Sequence, residues 1–307
     1  MSEPAITSAQ YSKETGAGGE FVRQTQRFHR TVRADGEGDF EPSAGRFHLY
    51  VCYACPWASR TILMRRLKGL ERVIGMTAVD PERDERGWGF SPEEPDPVNG
   101  WTFLSEGYRA TDPSFDDRVT VPVLWDKETG EIVNNESSEI QRMLNSEFNE
   151  FADHPELDYY PEALRAEIDE LNSWIYPEVN NGVYRAGFAT TQEAYEQGVT
   201  TLFAALDRIE QILQSNRYLT GETITEADWR LAMTLFRFDP VYVGHFKCNI
   251  RRIVDYPGIW RYARDLYNQP GVAETVNFDH IKRHYYRTHP KINPTRVVPL
   301  GPRIDWT

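Results

Sequence analysis

Between Phe47 and Leu70 the spacing of apolar residues changes from two to nearly four, and the change happens at one dipeptide, Cys55-Pro56. Phe47, Leu49 and Val51 alternate with His48, Tyr50 and Cys52, the pattern of a strand; Ala58, Ile62, Leu63, Leu67 and Leu70 then recur at helical spacing. Pro56 suits the first helical position, where its missing N–H costs nothing. This order places the Cys55 sulfur among unpaired N–H groups at the positive end of a helix dipole, where a thiolate is favoured. Most free cysteines are small buried hydrophobes. The Cys-Pro start favours chemistry over packing, since proline gives no reason to keep a sulfur at the cap.

Further strands are expected at Val73–Val79, Val119–Trp125 and Glu131–Val133, and a helix from Asn135 with Ile140, Met143 and Leu144 on one face. The connection from Asp80 to Arg118, about 39 residues rich in Pro, Gly and acid and holding Trp88 and Trp101, is long enough to suggest a function. From about residue 155 the pattern is helical only, and Thr225-Glu226-Ala227-Asp228 reads as a capping box with Ile224 stapling Trp229. The expected division is an extended arm over 1–45, touching the rest through Phe21, Phe28 and Phe40; an α/β domain over 46–152 with an insertion at about 80–118; an all-helical domain over 153–287; and a proline-rich tail over 288–307.

Lys plus Arg number 34 against 47 Asp plus Glu, and the net charge of -13 argues against nucleic acid or an anionic membrane as partner. That charge is expected to serve solubility, with a salt-adapted host as the alternative. No signal peptide or bilayer-spanning run is apparent, so a cytoplasmic location is expected. Three cysteines, Cys52, Cys55 and Cys248, do not make a disulfide framework. His280 and His284 could share a helix face, but without a third ligand they are expected at the helix surface or a dimer contact, and no metal is expected.

Cys52 and Cys55 form a C-x-x-C, yet the inner position of a dithiol site, three residues into the helix, is Ala58. Cys52 therefore reads as packing, with a resolving thiol as the alternative; Cys248 reads as structural. Pro122 in a strand that looks central suggests a cis Val121-Pro122 bond presenting the Val121 N–H and C=O to a peptide-like ligand; a trans proline on an edge strand is the other possibility. Asn134-Asn135-Glu136-Ser137-Ser138 could meet a ligand end bearing ammonium and carboxylate, or be an ordinary N-cap.

A thioredoxin-like half with Val-Pro and Glu-Ser, followed by an all-helical half with a Thr-x-x-Asp box, resembles a glutathione transferase. Cys55-Pro56-Trp57-Ala58, the long connection with Trp88, Asn181-Gly182-Val183-Tyr184-Arg185-Ala186-Gly187-Phe188, and His284-Tyr285-Tyr286 to Ile292-Asn293-Pro294 are similar to the xi class, the glutathionyl-hydroquinone reductases. The resemblance covers about 45–307 and implies an α/β thioredoxin-like N-terminal domain plus an all-α C-terminal domain. It implies Cys55 as nucleophile; Trp88, Arg118, Val119, Thr120, Val121, Glu136 and Ser137 as glutathione contacts; Tyr184 as proton donor; and Tyr242 and Tyr285 as donors to the thiolate. Trp88, Tyr184, Tyr242, Tyr285 and Phe188 could wall an aromatic cavity. Glutathione, or a related small thiol, is implied as co-substrate with no permanently bound cofactor, glutathionyl-hydroquinones as substrates, and a homodimer as the assembly. Cys52 stands where many relatives have no thiol. Alternatives are a general thioltransferase or dehydroascorbate reductase, or a non-catalytic binding subunit.

Overall fold

The computed structural model describes residues 14–307; residues 1–13 of the expected arm lie outside them. In chain order the elements are β1 (Phe47–Val51), α1 (Pro56–Leu67), β2 (Gly75–Ala78), α2 (Ser105–Thr111), β3 (Val123–Asp126), β4 (Glu131–Asn134), α3 (Ser137–Ser146), α4 (Arg165–Ile175), α5 (Gly182–Gly187), α6 (Gln192–Ser215), α7 (Glu226–Arg237), α8 (Pro257–Tyr267) and α9 (Phe278–Thr288). They fall into two compact units, residues 25–158 with 274–290, and residues 14–24 with 159–273 and 291–307.

The first unit is built on a sheet of order β2-β1-β3-β4, with β1 parallel to β2 and antiparallel to β3, and β3 antiparallel to β4. β3 starts at Val123, later than the sequence suggests, because Pro122 has no N–H to give the ladder. Both faces of β1 are buried. The alternation in its sequence is therefore not an inside-outside pattern: on one face Phe47 packs edge-on against Phe148, and on the other Tyr50 meets Phe90 and Trp101 of the long connection. The Tyr50 hydroxyl donates to Asp96 at 2.9 Å, and the same carboxylate accepts the backbone N–H groups of Val98, Asn99 and Trp101. One buried acid thus folds the insertion and fixes it to the sheet.

The arm does more than lodge three phenylalanines. Along residues 28–30 it runs beside β4, where Arg30 N–H donates to Val133 at 3.1 Å and Asn134 Nδ2 to the Arg30 carbonyl at 3.1 Å. It thereby covers a strand edge that would otherwise expose backbone donors and acceptors.

The boundaries of the units differ from the expected division at α9, which groups with the α/β unit and not with the helices. The cause is a set of contacts remote in sequence: His284 Nδ1 lies 2.7 Å from the Pro81 carbonyl, Glu82 pairs with Arg283 and Arg287, and the His284 ring stacks on Trp88 at 5.1 Å. His284 is accordingly a buried packing residue and not a surface or dimer-contact histidine.

In the helical unit the chain takes wide π-helical turns at Tyr176–Asn180 and Phe238–Tyr242, each containing a proline that cannot donate to a regular helix. Gly187 permits close packing, since a Cβ there would lie 2.1 Å from the Phe246 ring. The tail has no regular element, as its prolines dictate, but Trp306 anchors it against Phe236, Trp260 and Tyr267. Asp228 is fully buried and accepts from Thr225 N–H at 2.7 Å, Leu219 N–H at 2.9 Å and the Tyr262 hydroxyl at 2.9 Å.

Removing that acceptor strands buried donors. Asp228→Ala should cost about 3 kcal/mol in a urea unfolding experiment; a loss below about 1 kcal/mol would show that the donors find other partners.

Burial pushes the His48 imidazole down to about 4 and that of His245 to about 3. Both rings are neutral when folded, and the unfolded chain takes up protons first, from about pH 6.5 downward. Stability should be full above that pH and fall on acidification toward 4, by up to about 1.4 kcal/mol per pH unit for each ring. His48→Asn should flatten the profile between pH 6.5 and 5, and a wild-type profile already flat there would contradict the neutral rings.

Candidate active site

Cys55 is the N-cap of α1, in extended conformation with Pro56 following it, and the residue is half-buried while Cys52 and Cys248 are buried. Cys55 N–H bonds to the Cys52 carbonyl at 3.0 Å, which closes the turn between β1 and α1. Ala58 occupies the inner position, so no second thiol follows in the helix; Cys52 directly follows β1 and has no exposed surface. Cys248 lies in the other unit, and burial pushes its thiol well up.

The Val121-Pro122 bond is cis, and Cys55 Sγ lies 3.5 Å from the Val121 carbonyl oxygen. This is the juxtaposition that the Val-Pro dipeptide suggested. Glu136 is the N-cap of α3, two residues later than a helix starting at Asn135 requires, and its carboxylate accepts from Ser138 N–H at 3.0 Å. Ser137 is buried and receives Arg60 Nη1 at 3.4 Å, which ties α1 to the start of α3.

Arg118, Val119 and Thr120 lead into Val121 within the same unit. Trp88 is only 4% exposed, with His284 stacked on it and the Arg83 guanidinium 5.3 Å from its ring centre. Tyr285 is also in this unit, on α9, edge-on to His284 and His289 at 5.2 and 5.6 Å. Tyr184 and Tyr242 belong to the helical unit, 6.1 Å apart between ring centres, in a cluster with Phe21, Phe188 and Phe246. Arg23 lies over the Tyr184 ring at 4.8 Å and donates to Asn181 Oδ1 at 2.7 Å.

Sequence reasoning missed Tyr108. It sits on α2, inside a connection without a clear period, and is fully buried beside Thr120 and Asn135. Among the described residues, no group of three His, Cys, Asp or Glu side chains could hold a metal ion. No helix there is long and apolar enough to cross a membrane.

The family model described as "Glutathione S-transferase, N-terminal domain" matches residues 54–147, and the one described as "Glutathione S-transferase, C-terminal domain" matches 192–265. The chain is 52% identical over 298 residues to glutathionyl-hydroquinone reductase YqjG of Escherichia coli K12, covering 94% of this chain and 90% of that one. It is 49% identical over 289 residues to glutathionyl-hydroquinone reductase PcpF of Sphingobium chlorophenolicum, covering 93% and 91%. Among solved structures, the xi glutathione transferase of Phanerochaete chrysosporium aligns with TM-score 0.91 at 52% identity, over 94% of this chain and 95% of its own. The glutathione-bound structure of YqjG aligns with TM-score 0.88 over 91% and 94%. A thioredoxin-like unit with cysteine at the α1 cap, joined to a helical unit and matched across nearly its whole length, places this chain in the glutathione transferase superfamily, xi class.

Proposed function

We propose that the chain is a glutathionyl-hydroquinone reductase acting through Cys55. The observation that carries this is Cys55 at the α1 cap, 3.5 Å from the Val121 carbonyl, in a chain half-identical to reductases of that name. The Cys55 thiolate attacks the sulfur of the aryl thioether. A Cys55–glutathione disulfide forms, the aryl carbon–sulfur bond breaks, and its electron pair goes to the aromatic carbon, which takes a proton from Tyr184. A second glutathione thiolate attacks the mixed disulfide, releases glutathione disulfide and restores Cys55. The aromatic carbon is reduced by two electrons, and two glutathione sulfurs are oxidised.

In this reading Val121 pairs its backbone with glutathione in strand fashion; Arg118, Val119 and Thr120 complete that edge; Glu136 and Ser137 meet the γ-glutamyl end; and Trp88 lines the site. Tyr242 and Tyr285 donate to the thiolate. Glutathione is the co-substrate, and a cytoplasmic homodimer is the proposed form.

Cys55→Ser should lower glutathionyl-hydroquinone reduction on the order of a thousandfold or more with the fold intact, measured by hydroquinone release. Retained turnover would require a different nucleophile.

Tyr184→Phe should slow hydroquinone release about a hundredfold, while reduction of a simple mixed disulfide, which protonates no carbon, changes little. Equal losses on the two substrates would make Tyr184 a wall residue.

A further inference from the structure

We infer that Tyr108 and the strap around Gln26 are positioning elements of the glutathione site, because together they hold the peptide plane that carries the Val121 N–H. This rests on the glutathione reading above and adds residues that it does not include.

The Tyr108 hydroxyl donates to the Thr120 carbonyl at 2.8 Å and accepts the Thr120 N–H at 3.3 Å. The Thr120 carbonyl and the Val121 N–H belong to one planar unit, and only the following bond, Val121-Pro122, is cis in this stretch. In a trans peptide the C=O and N–H point in opposite directions, so fixing one aims the other. The phenol thus sets the direction of the Val121 N–H without touching a ligand. On the far side of the same residue, the Val121 carbonyl faces Cys55 Sγ.

The phenol is itself held. Asn135 Nδ2 donates to it at 3.2 Å and to Gln26 Oε1 at 2.9 Å, and Thr120 Oγ1 donates to that same Gln26 oxygen at 3.0 Å. Asn135 immediately precedes the Glu136–Ser137 cap, and its N–H and Oδ1 pair with the Phe28 backbone at 3.1 Å. The Phe28 ring then packs edge-on against Tyr108 at 5.7 Å, with Phe115 at 4.7 Å. Burial pushes the Tyr108 phenol up, which keeps the hydroxyl a donor. Four segments meet at this knot: the strap, α2, the Thr120 loop and the start of α3. Two of them carry the proposed glutathione contacts. Without it, binding glutathione would also have to order those two segments, and affinity would fall.

Calorimetric titration with glutathione on the full chain, together with turnover of a glutathionyl-hydroquinone, tests this. Tyr108→Phe keeps the ring and removes the hydroxyl; Gln26→Ala, on the half-buried strap, keeps the test available if the first variant misfolds. In each, Kd and KM should rise about tenfold, while kcat at saturation and the rate of Cys55 alkylation by iodoacetamide stay at the wild-type level. A merely structural role would lower thermal stability and leave Kd and KM alone; that result, or a loss confined to kcat, would overturn the inference. A wild type that binds glutathione but reduces no glutathionyl-hydroquinone would defeat the proposed reaction, and the Kd comparison would still decide the role of the knot.

Discussion

Two residues without a backbone N–H govern the thiol end of the α/β unit. Pro56 fixes where α1 begins, and so makes Cys55 its cap. Pro122 delays β3 until Val123, which leaves the polar groups of Thr120 and Val121 outside the ladder. Groups excluded from a ladder and removed from water must find partners elsewhere. The Thr120 peptide finds them on the Tyr108 hydroxyl, and the Val121 carbonyl faces the cysteine. The same omission that delays the strand frees the edge on which glutathione is proposed to pair.

The long insertion links this end of the molecule to α9. Asp96 gathers three backbone N–H groups and the Tyr50 hydroxyl, so the insertion is fixed on the sheet by a buried acid and not by regular structure of its own. Its first residues then fix α9, through the Pro81 carbonyl on His284 and Glu82 between Arg283 and Arg287. The exposed ion pairs contribute little each. Stacking of Trp88 on His284, both nearly buried, holds the helix more strongly. Tyr285 is held in the same unit as Cys55 for this reason, although it arises more than two hundred residues later in the chain.

What the sequence made legible follows from the range of the interactions involved. The cap at Cys55, the Val-Pro turn and the Thr225–Asp228 box are short-range patterns, and each appears where its residues suggest. The grouping of α9 is not local. It depends on His284, whose spacing from His280 invites a metal reading while its partner, Trp88, is remote in sequence. Tyr108 was illegible for a related reason: one hydroxyl serving Thr120 and Asn135 leaves no periodic trace. The covered second face of β1 was hidden too, because His48 and Tyr50 look like outward residues until the insertion is placed on them. Glu136 bears out the ordinary N-cap that the Asn134–Ser138 run also offered, since its carboxylate accepts from the Ser138 N–H.

The proposed chemistry sets different demands on the two units. Thiol exchange needs a nucleophile and a bound thiol, and the proposed nucleophile and glutathione contacts all lie in the α/β unit. Protonating an aromatic carbon needs a donor that holds its proton until the carbon–sulfur bond gives way. Tyr184 is buried, its ring set among Phe21, Phe188, Tyr242 and Phe246. Arg23, fixed by Asn181, presents a cation 4.8 Å from the centre of the Tyr184 ring. A cation over an aromatic ring is attracted more strongly as negative charge builds there. In the proposed step that charge appears only after the proton has left, so the arm residue favours the product of proton transfer over the resting phenol. That is the differential stabilisation an acid catalyst requires.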